Sequence, residues 1–152
     1  MKLKSRYPEI LEYTARSSWD GQTGCTAYVT NNRKVVIDTP STYGGRGAGI
    51  CPDELFVASV LGCFNNTFLD FQRRFEMELI SLDLNGKATG KFDGGGYKIT
   101  GISVWGEIVV GEDELETGER CLQLMKEYCH LTRTIVGCLP IDFDVSVREG
   151  VD

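Results

Sequence analysis

A helix that begins at Pro52 is the feature that most constrains how this chain can fold. Proline suits the first helical position because its missing N–H has no partner there, and the acidic pair Asp53 and Glu54 complements the positive end of the helix dipole. A helix that is apolar on most sides must be buried. Cys63 lies among the residues that give the helix this character: Leu55, Phe56, Val57, Val60, Leu61, Phe64, Phe71 and Phe75.

The segments around this helix predict an α+β fold. Alternating polar and apolar residues predict strands at 10–19, 25–30, 33–39, 79–91, 97–110 and 141–148, with turn-forming residues between neighbours. A second long helix is predicted to start at the acids 112–114 and to end at Gly137. This order favours antiparallel pairing over a parallel βαβ array, within a single domain over residues 1–152. The apolar helix needs more cover than one small sheet provides, which indicates a partner subunit.

The charge and the hydropathy of the chain exclude two classes of partner. A net charge of −6 and a pI near 4.9 argue against binding nucleic acid through a basic face. Residues 1–8 contain no apolar stretch of signal-peptide length, and no later run is long enough to cross a bilayer, so a cytoplasmic protein without membrane contact is expected. Six dispersed cysteines in such a chain favour reduced thiols over a disulfide framework.

A glycine-rich loop at 41–49 precedes the first helix but lacks the signature of a nucleotide-binding turn. Ile50 stands where a dinucleotide fingerprint needs glycine, and the Gly-Lys-Ser/Thr ending of a P-loop is missing. The loop either carries Arg46 toward a site or is flexible without a function. Structural zinc is also disfavoured, because the chain has no Cys-x-x-Cys pair and one histidine. No cofactor and no metal is therefore expected.

Most of the six cysteines are interpreted as buried filler, because cysteine commonly packs as a small hydrophobe. A Cys/His nucleophile pair meets an obstacle: the only histidine, His130, follows Cys129 directly, and adjacent residues of one helix do not face each other. His130 can still approach Cys63 through the fold, so a hydrolase dyad stays open. We interpret four cysteines as buried filler, because no residue near them in the sequence would lower the pKa of a thiol: Cys25, Cys51, Cys121 and Cys138.

Cys63 and Cys129 remain as candidates for a functional pair of thiols, one on each of the two predicted long helices. Two such thiols can cycle between dithiol and disulfide: a thiolate attacks an oxidant, becomes a sulfenic acid and is resolved by the second thiol. An arginine would favour the thiolate, and a carboxylate would orient that arginine. This pattern predicts a redox-active pair, with buried filler as the alternative.

Two stretches of the sequence resemble the cysteine motifs of the OsmC/Ohr family of peroxide-resistance proteins. The run from Gly47 to Phe64 resembles the first motif, and the run from Lys126 to Arg133 resembles the second. The order and extent of the predicted elements match as well. The resemblance implies a thiol peroxidase that reduces organic hydroperoxides, built as an intertwined homodimer whose antiparallel sheets wrap around two long central helices. It also implies sites at the subunit interface and a dithiol reductant of lipoyl or another small type.

The resemblance implies roles for four residues. By motif position Cys63 corresponds to the peroxidatic cysteine and Cys129 to the resolving cysteine. Arg46, on the loop before the first motif, is expected to hold the thiolate charged. Asp53 takes the place where the family commonly has glutamate, and it is expected to position Arg46.

The sequence also departs from the family pattern. Gln22, which carries no charge, aligns with an activating arginine of the Ohr branch, and His130 stands where proline is usual. The uncharged Gln22 and the short acid Asp53 favour an alternative, a dimer of the same fold that binds a small hydrophobic or thiol ligand without peroxidase turnover. A third possibility is a hotdog-like acyl-thioester enzyme, since those proteins also wrap a sheet around a central helix.

Overall fold

The computed structural model describes residues 7–150, and the chain divides into two compact units, one ending at Pro52 and the other beginning at Asp53. The single domain expected over residues 1–152 stays a prediction. That range, like the expected absence of a signal peptide in residues 1–8, includes terminal residues that lie outside the described part. No helix among residues 7–150 has the combination of length and apolar character required to span a bilayer.

The first unit contains an antiparallel sheet of three strands, β1 (Arg16–Trp19), β2 (Gly24–Val29) and β3 (Arg33–Asp38). The β1–β2 hairpin pairs Trp19 with Cys25. Its turn is held by the carboxylate of Asp20, which accepts the backbone N–H groups of Gln22 at 2.8 Å and Gly24 at 3.2 Å. The three predicted strands are therefore confirmed in order and pairing.

The first strand is shorter than its sequence pattern predicts. β1 begins at Arg16, opposite Tyr28 of β2, and not at residue 10. The apolar alternation before it includes Ile10 and Tyr13, whose side chains are 80% and 79% exposed. Alternation favours a strand, but a strand also needs a neighbour whose backbone hydrogen-bonds with its own, and these residues have no strand partner in the described sheet.

The second unit combines helices with a second three-stranded sheet. In chain order it contains α1 (Pro52–Phe75), β4 (Leu79–Phe92), β5 (Tyr97–Val110), α2 (Leu115–Tyr128), α3 (His130–Ile135) and β6 (Ile141–Glu149). β4 and β5 form the predicted long antiparallel hairpin. β6 pairs parallel to β5, from Ile102 opposite Ile141 to Val110 opposite Glu149, which differs from the antiparallel pairing predicted for it. The α2–α3 segment is long enough to return the chain to the N-terminal end of β5, as a parallel connection requires. The predicted α+β class is confirmed.

The second predicted helix is divided at Cys129. This residue has φ −59° and ψ 115°, which lie outside the helical region. Its N–H still donates to the Met125 carbonyl at 3.0 Å, and its own carbonyl accepts the Arg133 N–H at 3.0 Å. One residue thus ends α2 and begins α3, and the prediction of one continuous helix to Gly137 is wrong. Neither glycine nor proline marks this break in the sequence.

Glycines allow two helices to pack closely on the sheet of the second unit. A Cβ atom on Gly86 of β4 would lie 2.9 Å from Cγ1 of Val57 on α1. A Cβ atom on Gly118 of α2 would lie 2.8 Å from Cγ1 of Val147 on β6. Side chains at these positions would push the helices away, so both glycines help to fix where α1 and α2 present their buried faces.

The core of the second unit lies between α1, α2 and the sheet. Phe64 packs edge-on against Phe143 of β6, with ring centroids 4.8 Å apart, and Phe71 contacts Tyr128 at the end of α2. Phe75, predicted to share the apolar face, is 46% exposed. The buried stripe of α1 follows helical spacing and includes the cysteine: Val60, Cys63, Phe64, Phe68 and Phe71.

Candidate active site

Cys63 of α1 and Cys129 between α2 and α3 meet in the core of the second unit. Their Sγ atoms are 3.0 Å apart, and the residues are 8% and 0% exposed. Both are free thiols. A disulfide has an S–S length of about 2.05 Å, so oxidation of this pair to a disulfide would require the sulfurs to approach by about 1 Å. The two cysteines of the predicted redox pair are therefore neighbours in the fold.

The break at Cys129 also places a backbone donor beside the Cys63 sulfur. In a continuous helix the N–H of Leu131 would donate to the Glu127 carbonyl, four residues earlier. Because the helix is interrupted, the Leu131 N–H instead forms a hydrogen bond to the Cys63 sulfur. The Thr67 hydroxyl, one turn along α1, donates to the Cys63 carbonyl oxygen at 2.8 Å. These contacts hold Cys63 from both the helix and the α2–α3 junction.

The imidazole of His130 contacts the same sulfur. Its Nδ1 and Nε2 atoms lie 3.6 and 3.9 Å from Cys63 Sγ. Sequence reasoning placed Cys129 and His130 on different faces of one helix, but with the helix broken at Cys129 both residues reach Cys63. His130 is exposed while Cys129 is buried, so the imidazole borders solvent. The sequence marks His130 by its position directly after Cys129, and the approach to Cys63 that the sequence left open is present in the structure.

Burial and a neighbouring thiol disfavour ionisation of the Cys63 thiol. Burial raises the pKa of the Cys63 thiol to about 11, and the neighbouring Cys129 thiol also raises it, while the Leu131 N–H opposes them. With a pKa of about 11, roughly one Cys63 in ten thousand would carry a thiolate at pH 7. The thiolate is the nucleophilic form of cysteine, so this arrangement needs a group that takes the proton or stabilises the charge.

Arg46 lies in the first unit, where two acids surround its guanidinium. It forms an ion pair with Asp20, its Nε is 3.7 Å from an oxygen of the buried Asp38, and the same Nε donates to the Thr23 hydroxyl at 3.3 Å. The pKa of the Asp38 carboxyl is lowered, first by the N–H of Ala48 and then by the Thr23 hydroxyl. These contacts tie the glycine-rich loop to the first sheet.

The expected pairing of Arg46 with Asp53 stays a prediction, as do the roles expected of both residues at Cys63. Asp53 occupies the first turn of α1 in the second unit, and its side chain is exposed. Gln22, which aligns with a family arginine, lies in the β1–β2 turn, where its carbonyl accepts the indole N–H of Trp19 at 3.0 Å.

The other four cysteines differ in their surroundings. Cys121 of α2 is fully buried, and burial, together with the charge of Glu114, raises the pKa of its thiol to about 11. Cys138 is exposed, and Cys25 and Cys51 are partly buried. The interpretation as buried filler fits Cys121 and is wrong for Cys138, whose side chain is exposed. Within residues 7–150, no three histidine, cysteine or acidic side chains cluster in a way that could hold a metal ion.

Comparison with known proteins agrees with this fold. The family model described as OsmC-like protein matches residues 45–144, which include both cysteines. An OsmC-like protein of unknown function from Vibrio cholerae is 17% identical, with a TM-score of 0.75 over 90% of this chain and 99% of its own. An organic hydroperoxide resistance protein OsmC from Legionella pneumophila is 18% identical, with a TM-score of 0.70 over 94% and 99%.

A third structure carries a bound molecule. It is a putative organic hydroperoxide resistance protein from Vibrio cholerae with captopril in one of its active sites, 21% identical, with a TM-score of 0.67 over 94% of this chain and 95% of its own. No curated protein gave a significant match. At these identities the structures show a shared fold, and the family model covers well over half of the chain. The protein described here belongs to the OsmC-like family.

Proposed function

We propose that this protein is a thiol-dependent peroxidase that reduces organic hydroperoxides through Cys63 and Cys129. One observation carries the proposal: the two sulfurs lie 3.0 Å apart in the core, as reduced thiols. Two isolated cysteines buried as filler have no reason to meet, whereas a peroxidatic and a resolving thiol must. Both residues lie in the motifs that resemble those of peroxide-resistance proteins.

The reaction has two steps within the protein. The Cys63 thiolate attacks the terminal oxygen of the hydroperoxide, so that an S–O bond forms as the O–O bond breaks. The sulfur is oxidised to a sulfenic acid, and the peroxide is reduced to an alcohol once its alkoxide gains a proton. Cys129 then attacks the sulfenic sulfur, forming the disulfide and releasing water. A dithiol, of lipoyl or a similar small type, exchanges with this disulfide and restores both thiols.

The wider setting of this reaction is part of the same proposal. Arg46 and Asp53 are proposed to assist the thiolate. The protein is proposed to be a homodimer, and its location is proposed to be the cytoplasm, where thiols stay reduced. The reduced thiols of Cys63 and Cys129, close together without a bond, support a reducing compartment. Large exposed apolar side chains in both units, including Trp19 at 74% and Phe75 at 46% exposure, support a partner subunit.

Thiol counting tests the proposal. Reduced protein is mixed with cumene hydroperoxide, and the thiols lost are counted in the wild type, in Cys63→Ser and in Cys138→Ser, a matched control at an exposed cysteine. We expect the wild type and the control to lose the Cys63 and Cys129 thiols rapidly, and Cys63→Ser to retain Cys129. Equal loss in the wild type and in Cys63→Ser would reject the assignment. A faster reaction with cumene hydroperoxide than with hydrogen peroxide is expected, because Phe64 follows Cys63 directly and Phe56 lies about two turns before it on an apolar helix.

The second candidate is a protein that binds a small hydrophobic or thiol ligand without turnover. The observation in its favour is the burial of Cys63, which raises the pKa of its thiol and so disfavours the nucleophilic thiolate. This candidate predicts that saturating cumene hydroperoxide leaves both cysteines reduced, while captopril raises the melting temperature. Rapid consumption of the hydroperoxide would exclude it.

A further inference from the structure

The groups that meet at the Cys63 sulfur differ in what they can do with its proton. From α1 the nearby polar group is the Thr67 hydroxyl, whose own proton is directed to the Cys63 carbonyl. From the α2–α3 junction come the Cys129 thiol, the His130 imidazole and the Leu131 N–H. The strands contribute apolar side chains to this core. No lysine or arginine among residues 53–150 forms a hydrogen bond or ion pair with the sulfur.

Among these groups, one can accept a proton at physiological pH. A backbone N–H only donates, and a second buried thiol has no tendency to take a proton from the first. A neutral imidazole ring has one nitrogen without a proton, and this nitrogen can accept the proton of a neighbouring thiol. Nδ1 of His130 is 3.6 Å from the sulfur. This distance is within the range of hydrogen bonds to sulfur, and the exposure of His130 lets its ring exchange protons with water.

We propose that His130 is a catalytic residue, which takes the proton of the Cys63 thiol and holds the thiolate beside it as an imidazolium–thiolate pair. The second half of its role rests on the proposed peroxidase function. When the thiolate attacks the hydroperoxide, the imidazolium gives the same proton to the departing alkoxide, which leaves as the alcohol. The imidazole is then neutral again, the sulfur is a sulfenic acid, and no further acid or base is consumed in this step.

The proposal predicts how fast Cys63 reacts with an alkylating agent that needs no peroxide chemistry. Reduced full-length protein is treated with iodoacetamide from pH 5 to 10, and the modification of Cys63 is followed by peptide mass spectrometry. In the wild type the rate should already be high at neutral pH. In His130→Gln, which keeps a polar side chain of similar size at an exposed position, the rate at pH 7 should fall at least ~10-fold, and the rise with pH should move to more alkaline values.

Arg133→Gln is the matched control, because it removes a positive charge from an exposed position on the same short helix. Its pH profile should stay close to that of the wild type. A loss in Arg133→Gln as large as that in His130→Gln would overturn the proposal, since the effect would then be general electrostatics. An unchanged profile in His130→Gln would overturn it as well. Melting temperatures of all three proteins establish that each variant is folded.

The alkylation profile separates this inference from the peroxidase proposal. If Cys63 shows the His130-dependent profile but the protein consumes no hydroperoxide, the imidazolium–thiolate pair stands and the peroxidase function fails. If the protein consumes hydroperoxide with the same rate and pH dependence in the wild type and in His130→Gln, the function stands and the role of His130 is refuted.

Discussion

Oxidation of Cys63 and Cys129 to a disulfide should stabilise this protein strongly. The bond would join residues 66 positions apart in sequence, and cross-linking a loop of that length lowers the entropy of the unfolded chain by an amount worth about 4 kcal/mol at 25 °C. Strain in the folded state would subtract from this value. The sulfurs already lie 3.0 Å apart between well-packed elements, and closing the bond requires an approach of about 1 Å, so the subtraction should be small.

Thermal unfolding measures this effect. For a chain of this size, about 4 kcal/mol corresponds to a rise in melting temperature of roughly 8–16 °C. Wild-type protein oxidised with one equivalent of cumene hydroperoxide should show the rise, and dithiothreitol should reverse it. Cys63→Ser, treated in the same way at the same protein concentration, should show none. If peptide mapping demonstrates a Cys63–Cys129 disulfide while the melting temperature is unchanged or lower, the two cysteines are not positioned to bond without strain, and the reasoning is refuted.

Two further predictions concern titratable groups away from this pair. Burial raises the pKa of the Cys121 thiol to about 11, whereas the same thiol in the unfolded chain ionises above about pH 9. The contribution of this thiol to the free energy of unfolding is therefore fully present below about pH 9. Between pH 9 and pH 10.5 the free energy of unfolding should fall by about 2 kcal/mol. Urea unfolding should show a smaller alkaline loss in Cys121→Ala than in Cys138→Ala, and equal losses would contradict the assignment. Asp38 has the opposite sign, since its lowered pKa stabilises the fold above about pH 4 and this contribution is lost as the pH falls through the folded value. Asp38→Asn should therefore melt lower at pH 7 and lose less on acidification than the wild type; a parallel acid profile would count against the Ala48 and Thr23 contacts as the source of its stability.

Local patterns in the sequence predicted much of the fold. Pro52 and the acids that follow it mark the start of α1 at the residue where the helix begins. The apolar stripe that includes Val60, Cys63 and Phe64 is buried as its helical spacing predicts. The long β4–β5 hairpin follows from alternation on both sides of the Asp93–Gly96 turn, and Phe92 pairs with Tyr97 there. These features depend on neighbours within a few residues, which a single sequence contains.

Features set by distant contacts could not be predicted in the same way. The direction of β6 depends on which edge of β5 is free and where α3 ends, and nothing in the alternation of β6 encodes that. The side-chain partners of Arg46 in the first unit, Asp20 and Asp38, lie 26 and 8 residues away in sequence, and no local pattern pairs them. The resemblance placed Asp53 beside Arg46, and this contact stays a prediction.

The break between α2 and α3 at Cys129, which the sequence did not predict, also determines which groups contact the Cys63 sulfur. A continuous helix would send Cys129 and His130 about 100° apart around its axis, and one of them would miss Cys63. In a continuous helix the Leu131 N–H would also donate to the Glu127 carbonyl and would not be available to the Cys63 sulfur. The extended ψ of 115° at Cys129 lets the buried thiol, the exposed imidazole and a free N–H converge on one sulfur. Burial raises the pKa of the Cys63 thiol, and the local distortion that sequence periodicity could not show is what brings the His130 imidazole to its sulfur.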